Sequence, residues 1–204
     1  NYVAEFGPYF TTRVHTPWGD AIDYEGAPEV RQFVLDNARM WFDEYRVDGL
    51  RLDAVHAIHD ASPRHIVAEL AALAHGQDRL VIAESDLGEV EVIEPAPRGW
   101  GCDAQWSDDF HHALHAVVTG ERAGYYQDFG AVGQLATAIE EGFVYQGQPS
   151  AYRQKPFGTP SRGLPGDRFV VCAQNHDQIG NRAQGERLAQ LRPGCEWAVA
   201  ATVI

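Results

Sequence analysis

The 204-residue chain predicts an α/β fold on a parallel sheet and, within that class, part of a (β/α)8 barrel. Three observations carry the prediction. Apolar runs of strand length alternate with segments whose apolar residues recur at three- and four-residue steps, the order that builds βα units. Three of the strand-like runs lead to an acidic residue, Asp53, Glu84 or Asp177. No Gly-rich phosphate turn follows the first of these strands, as a doubly wound sheet would usually have, whereas a barrel draws its chemistry from the C-terminal ends of several strands. A complete barrel takes roughly 250 residues, so four strands correspond to about half of one. Residues 1–204 are expected to form part of a catalytic barrel domain.

Pro28 opens a predicted helix in which Val30, Phe33, Val34, Ala38, Trp41 and Tyr45 share a stripe, ending near Arg46. Leu50 and Leu52 then alternate with Arg51 and Asp53, the spacing of a short strand. Ser62-Pro63 has the pattern of an N-cap and first-turn proline before Ile66, Val67, Leu70 and Ala74. Leu80-Val81-Ile82-Ala83 is a continuous apolar run of the buried-strand kind and stops at Glu84. Asp103 to Trp106 is a weaker strand signal, followed by a helix from about Asp109 that Gly120 closes. A further helix runs from about Val132 to Glu141, with Gly142 after it. Tyr145 to Asp167, rich in Gly, Pro and Gln, reads as a long loop, and Phe169 to Ala173 as a strand running into Gln174-Asn175-His176-Asp177.

The formal charge of -13 is spread along the chain without long runs of one sign. With no basic stripe to neutralise phosphates, nucleic acid is excluded as a partner. Uninterrupted apolar stretches fall far short of the roughly 20 residues that cross a bilayer, so no membrane role is expected. Cys102, Cys172 and Cys195 fit neither a disulfide framework nor a zinc pattern, which points to a reducing, cytoplasmic setting. The chain begins at Asn1 without Met or a secretory segment and stops inside the apolar Ala200–Ile204 stretch, and is read as an internal fragment.

Carboxylates crowded into a dry cleft repel one another, so their environments are expected to push their pKa values apart into acid and base roles. Cleaving a glycosidic bond needs that division: one group protonates the leaving oxygen while another attacks or stabilises an oxocarbenium-like centre.

The stretch Val47-Asp48-Gly49-Leu50-Arg51-Leu52-Asp53-Ala54-Val55-His56 resembles the fourth-strand motif of the α-amylase family, D-G-x-R-x-D-A. Val81-Ile82-Ala83-Glu84 resembles its fifth-strand motif and Asn175-His176-Asp177 its seventh. The resemblance implies a (β/α)8 catalytic domain covered from about strand 4 to strand 7. It also implies Asp53 as nucleophile, Glu84 as general acid/base and Asp177 as transition-state stabiliser. Arg51 would orient Asp53, and His176 and Asn175 would contact the sugar at the cleaved unit. The third-strand motif would precede Asn1, the eighth strand would follow Ile204, and no organic cofactor is implied.

Within the family, Asp53 to Ile58, Trp106 to His112 and Gln174 to Arg182 look like the segments of malto-oligosyltrehalose trehalohydrolases. Glycogen branching enzymes are the alternative, but their seventh-strand segment carries S-H-D-E where this chain has Asn175-His176-Asp177-Gln178. The likeness adds His56, Trp106, Asp108, Asp109 and His111 as expected substrate contacts. His111, His112 and His115 beside Asp108 and Asp109 also suggest a metal site, as in a metal-dependent barrel hydrolase. Adjacent histidines point to different faces of a helix, so no metal ligands are assigned. A non-catalytic sugar-binding relative is the remaining alternative, and the presence of all three carboxylates speaks against it. Trp18, Trp100, Tyr125 and Tyr126 could also offer sugar-stacking surfaces, but most aromatics are core residues, so only Trp106 is retained as a contact.

Overall fold

In the computed structural model the described residues are 3–203, and the expectations for Asn1 and Ile204 lie outside them. The chain divides into two compact units, the first running to Asp86 and including Glu91–Gln105, the second comprising Leu87–Val90 and the chain from Trp106 onward.

The first unit begins with an antiparallel hairpin, β1 (Phe10–Thr16) and β2 (Gly19–Ile22), in which Phe10 faces Ile22 and Thr16 faces Gly19. Pro17 and Trp18 make a tight turn: the Thr16 hydroxyl donates to Gly19 O at 3.0 Å and accepts the Trp18 N–H at 3.2 Å. Gly19 has φ 122, a value that side-chain-bearing residues rarely adopt.

Helix α1 (Pro28–Asp43) starts at its proline as expected and buries Val30, Ala38 and Phe42. It stops short of Arg46, which sits at φ 54 in the left-handed region. Strand β3 (Gly49–Leu52) pairs in parallel with β4 (Leu80–Ala83), from Gly49 beside Leu80 to Leu52 beside Ala83. A Cβ on Gly49 would stand 2.9 Å from Leu80 O, so glycine is what lets these strands start side by side. In turn β4 pairs with β5 (Ala104–Trp106) through Ile82 beside Ala104 and Ala83 beside Gln105. Val81 and Ala83 are fully buried, as are Ile66 and Val67 of α2 (Ile66–His75).

The start of α2 differs from expectation. Its cap is His65, whose Nδ1 accepts the Val67 N–H at 3.2 Å, and Ser62 and Pro63 stay outside the helix. Ser62 instead donates its N–H to Asp60. Asp60 is the centre of a buried knot: its carboxylate accepts the Ile66 N–H at 2.6 Å and pairs with Arg31 of α1 at 2.8 Å, while Arg31 also reaches Glu69 of α2 at 3.0 Å. A buried ion pair is tolerable when its remaining polar atoms are also satisfied, and this one fastens the β3–α2 loop to both flanking helices.

In the second unit the Ser107 N–H, just past β5, donates to Val170 O at 2.9 Å, beside the short strand β8 (Phe169–Val170). Helix α3 (Asp108–Thr119) is capped by Ser107 and closed by Gly120 at φ 77, and α4 (Val132–Glu141) by Gly142 at φ 84. Phe110, Leu114 and Ala138 form a core between these helices, with Val118 and Leu135 packed on it. At Gly142 a Cβ would lie 2.5 Å from the Phe169 ring, so the turn needs glycine for space as well as for its φ.

The predicted loop from Tyr145 contains a small hairpin, β6 (Pro149–Ser150) with β7 (Lys155–Pro156), held by the Asp128 carboxylate on the N–H groups of Ala151 and Tyr152. The strand expected over Phe169–Ala173 is confined to its first two residues, and Val170 and Val171 remain exposed. An apolar run takes full strand geometry from neighbours on both sides, and the β5 end supplies one. Short helices α5 (His176–Gly180), α6 (Leu188–Leu191) and α7 (Glu196–Val203) complete the unit. Among the described residues no helix is long and apolar enough to cross a membrane.

Candidate active site

Register builds the acid pair of the first unit. Because Leu52 stands beside Ala83, the next residues, Asp53 and Glu84, emerge side by side from the C-terminal ends of β3 and β4. Neighbouring strands lie about 4.8 Å apart. Arg51 is two residues before Asp53 and therefore on its face of the strand. Its guanidinium spans both acids, with Nη1 on Asp53 Oδ1 and Nη2 3.0 Å from Glu84 Oε2.

Ala54 supplies a contact that the sequence did not announce. Glu84 N–H donates to Leu52 O at 2.9 Å, and Glu84 O accepts the Val55 N–H at 2.9 Å. The ladder therefore skips Ala54, which takes φ 42 and ψ 49. That left-handed turn frees the Ala54 N–H to donate to Glu84 Oε2 at 2.8 Å. The two carboxylates have unlike surroundings: Asp53 is 76 % exposed at its side chain and Glu84 17 %.

Asp53 and Ala54 also line a cleft of about 280 Å³ together with Phe10, Trp18 and Ile22 of the hairpin and Ile58. Trp18 is 70 % exposed, leaving an apolar ring face open to solvent. His56 lies just past the nucleophile candidate, with Nε2 3.6 Å from Asp86 Oδ1 and Nδ1 accepting the Asp86 N–H at 3.5 Å.

The second unit carries Asp177 in the first turn of α5. Asn175 caps that turn, its Oδ1 accepting the Asp177 N–H at 2.8 Å, and Gln178 Oε1 returns to the Asn175 N–H at 2.8 Å. Asn175, expected to contact the sugar, thus holds Asp177 through its Oδ1. His176 is exposed, 3.5 Å from Asp177 Oδ2.

The sixth-strand candidates divide. Trp106 is half-buried at the end of β5, and Asp108 lies partly exposed with Oδ1 3.1 Å from His111 Nε2. Asp109 and His111, expected as substrate contacts, are both buried. The Asp109 carboxylate accepts the N–H groups of Val144 at 2.7 Å and Tyr145 at 2.9 Å, closing the turn after α4 onto α3. Burial pushes its pKa up to about 6, against the lowering effect of those two hydrogen bonds.

His112 packs among the rings of Tyr125, Tyr126 and Phe129, and burial drives its pKa well below the ordinary value, so it is a neutral core residue. His115 is engaged by Glu121 at 2.7 Å. Trp100 stacks on His65, with ring centroids 4.0 Å apart.

No protein-family model matches the chain. Full-length comparison does: the chain is 48% identical, over its whole length, to 37% of the malto-oligosyltrehalose trehalohydrolase of Saccharolobus solfataricus. It is 45% identical, again over its whole length, to 36% of the enzyme of that name from a Rhizobium species. A crystal structure from Salmonella typhimurium, provisionally assigned as an alpha amylase, matches 95% of the chain with a TM-score of 0.86 at 39% identity. The chain belongs to the α-amylase family. It spans little more than a third of the length of these curated relatives, and 34% of the Salmonella chain. Asp53 and Glu84 follow the C-terminal ends of β3 and β4 with Arg51 between them, whereas Asp177 lies in α5, past the end of β8. The family motifs did not point to the hairpin with Trp18 or to the Ala54 turn; the Thr-Pro-Trp-Gly run was the available signal for the first.

Proposed function

We propose that the chain carries the catalytic residues of a retaining α-glycoside hydrolase that cleaves the α-1,4 bond next to the terminal trehalose of maltooligosyl trehalose. Its residues would form strands 4 to 7 of a (β/α)8 catalytic domain, with β3, β4, β5 and β8 in those places. The observation that carries the reading is the in-register pairing of β3 and β4, which sets Asp53 and Glu84 side by side under one guanidinium. Retaining enzymes hold their two carboxyl groups about 5–5.5 Å apart, and inverting enzymes leave room between theirs for a water. Adjacent parallel strands supply the shorter spacing.

In the proposed reaction Glu84 protonates the glycosidic oxygen as Asp53 attacks the anomeric carbon and forms a β-glycosyl ester. The sugar leaves with its new hydroxyl, and Glu84, now a base, takes a proton from the water that attacks the ester. Configuration is retained and Asp53 is regenerated. Arg51 keeps Asp53 ionised and aimed, a two-pronged role that suits a planar guanidinium. Asp177 stabilises the positive charge that develops at the sugar ring, while His56, Trp106, Asp108 and His176 contact its hydroxyls and faces. The Trp18 ring beside Asp53 offers a stacking surface in the same cleft.

The substrate choice rests on the trehalohydrolase-like segments and on the relatives' names. It is tested by giving the whole enzyme maltooligosyl trehalose, maltoheptaose and amylose separately. Free trehalose as the main product supports the reading. New branch points in amylose without trehalose release would replace it with a branching activity, and a product of inverted configuration would remove Asp53 as nucleophile.

A further inference from the structure

The turn that presents Asp177 has little of its own to hold it. Helix α5 is 5 residues long and buries none of them. A helix that short does not persist unaided, and its direction must come from its attachments. On the amino side, Gln174 reaches sideways to accept the Leu188 N–H at 3.1 Å.

On the carboxyl side stands Arg182, whose N–H donates to Ile179 O at 3.2 Å. Its Nη1 is 3.0 Å from Glu121 Oε2, and its Nε is 3.5 Å from Glu186 Oε2. Glu121 follows Gly120, the residue that closes α3, and its N–H is fixed on Thr119 Oγ1 at 3.1 Å. The same Oε2 receives His115 Nε2 at 2.7 Å. His115 is 3 % exposed and stacks on the Tyr126 ring at 4.1 Å.

Burial lowers the His115 pKa, so the ring is a neutral donor through Nε2–H. Hydrogen bonds from His115 and then Arg182 hold the Glu121 carboxyl below its ordinary range, so Glu121 is the anion between a neutral donor and a cation.

We propose that the His115–Glu121–Arg182 chain is a positioning device for Asp177, tying the exposed catalytic turn to the buried face of α3. The proposal rests on the reading of Asp177 as the transition-state stabiliser. The three residues touch no reacting atom in this scheme; they act through the orientation of α5. A charge-stabilising carboxylate is effective only where charge develops, so freeing its helix loses transition-state stabilisation and leaves ground-state binding largely intact.

The experiment compares Arg182→Gln, Arg182→Lys, Glu121→Gln and Asp177→Asn in the whole enzyme, with kcat normalised to folded protein. Misplacement of about 1 Å can cost roughly a hundredfold, so Arg182→Gln is expected to lower kcat about ten- to a hundredfold with KM within about twofold. Arg182→Lys keeps the charge and is expected to recover part of that loss, and Glu121→Gln to fall in the same direction as Arg182→Gln. Should Arg182→Gln fail to fold, Glu121→Gln, which preserves size, decides by the same split. A lower melting temperature with unchanged kcat in Arg182→Gln and Glu121→Gln, alongside an inactive Asp177→Asn, would overturn the positioning role alone. An active Asp177→Asn would remove Asp177 from the mechanism and this inference with it.

Discussion

Ala54 occupies a conformation that a side chain makes costly, yet its N–H reaches Glu84 because of it. The left-handed region costs an L-residue about 1–2 kcal/mol, and glycine escapes most of that. Ala54→Gly is therefore expected to be tolerated, with stability changed by no more than about 1 kcal/mol. Ala54→Val, β-branched at the same φ, is expected to lower both the melting temperature and kcat. Thermal melts and turnover of the two variants check this, and a harmless valine would show that the turn is not constrained as described. Glu84 makes the second prediction. Glu84→Gln removes the transferable proton, worth about 10²–10⁴ in rate, and should slow natural substrates far more than glycosides with good leaving groups. Equal slowing of the two in the first chemical step would disprove its role as acid.

The α3–α4 pair closes on a carboxylate whose pKa burial raises. Asp109 is raised to about 6 in the folded chain, against roughly 3.9 when unfolded. Between those values the folded state binds more protons than the unfolded state, so this group's contribution to stability falls as pH rises from about 4 to about 6 and is level above that. Asp109→Asn lacks the titration. The melting temperature of the wild type relative to Asp109→Asn is expected to drop across that window, and a gap constant from pH 4 to pH 7 would contradict the assignment. The same carboxylate shows why the helix was readable and its acid was not: Asp109 lies in the first turn, where an acid suits the helix dipole whether it faces solvent or the Val144–Tyr145 backbone.

At the scale of the molecule, α1 presents Phe33 and Trp41 to water, and the turn after it presents Tyr45, all large and exposed. Trp41 and Tyr45 lie against each other, ring centroids 4.8 Å apart. Contiguous apolar patches of this kind drive association in water. The 204-residue chain by itself is expected to self-associate at micromolar concentration and to bind a hydrophobic dye, and Trp41→Lys with Tyr45→Lys to reduce both. Size-exclusion chromatography and dye fluorescence make the comparison; a dye-silent monomer would show that the patch is covered.

Sequence by itself determined the alternation of strands and helices, the first turns of α1 and α3, the glycines at Gly120 and Gly142, and the motifs that carry Asp53, Glu84 and Asp177. These are local properties: period, cap and turn chemistry act over a few residues and are written there. Tertiary structure decided what local pattern leaves open. It moved the α2 cap from Ser62 to His65 because Asp60 takes the Ser62 and Ile66 N–H groups into the Arg31 knot. It shortened the last strand to Phe169–Val170, since strand geometry comes from neighbours. It turned Asp109 and His111 inward, placed Arg51 between two acids from different strands, and tied Arg182 to Glu121 across about sixty residues. A side chain's partner depends on which segments meet, and that is a property of the packed chain rather than of any stretch within it.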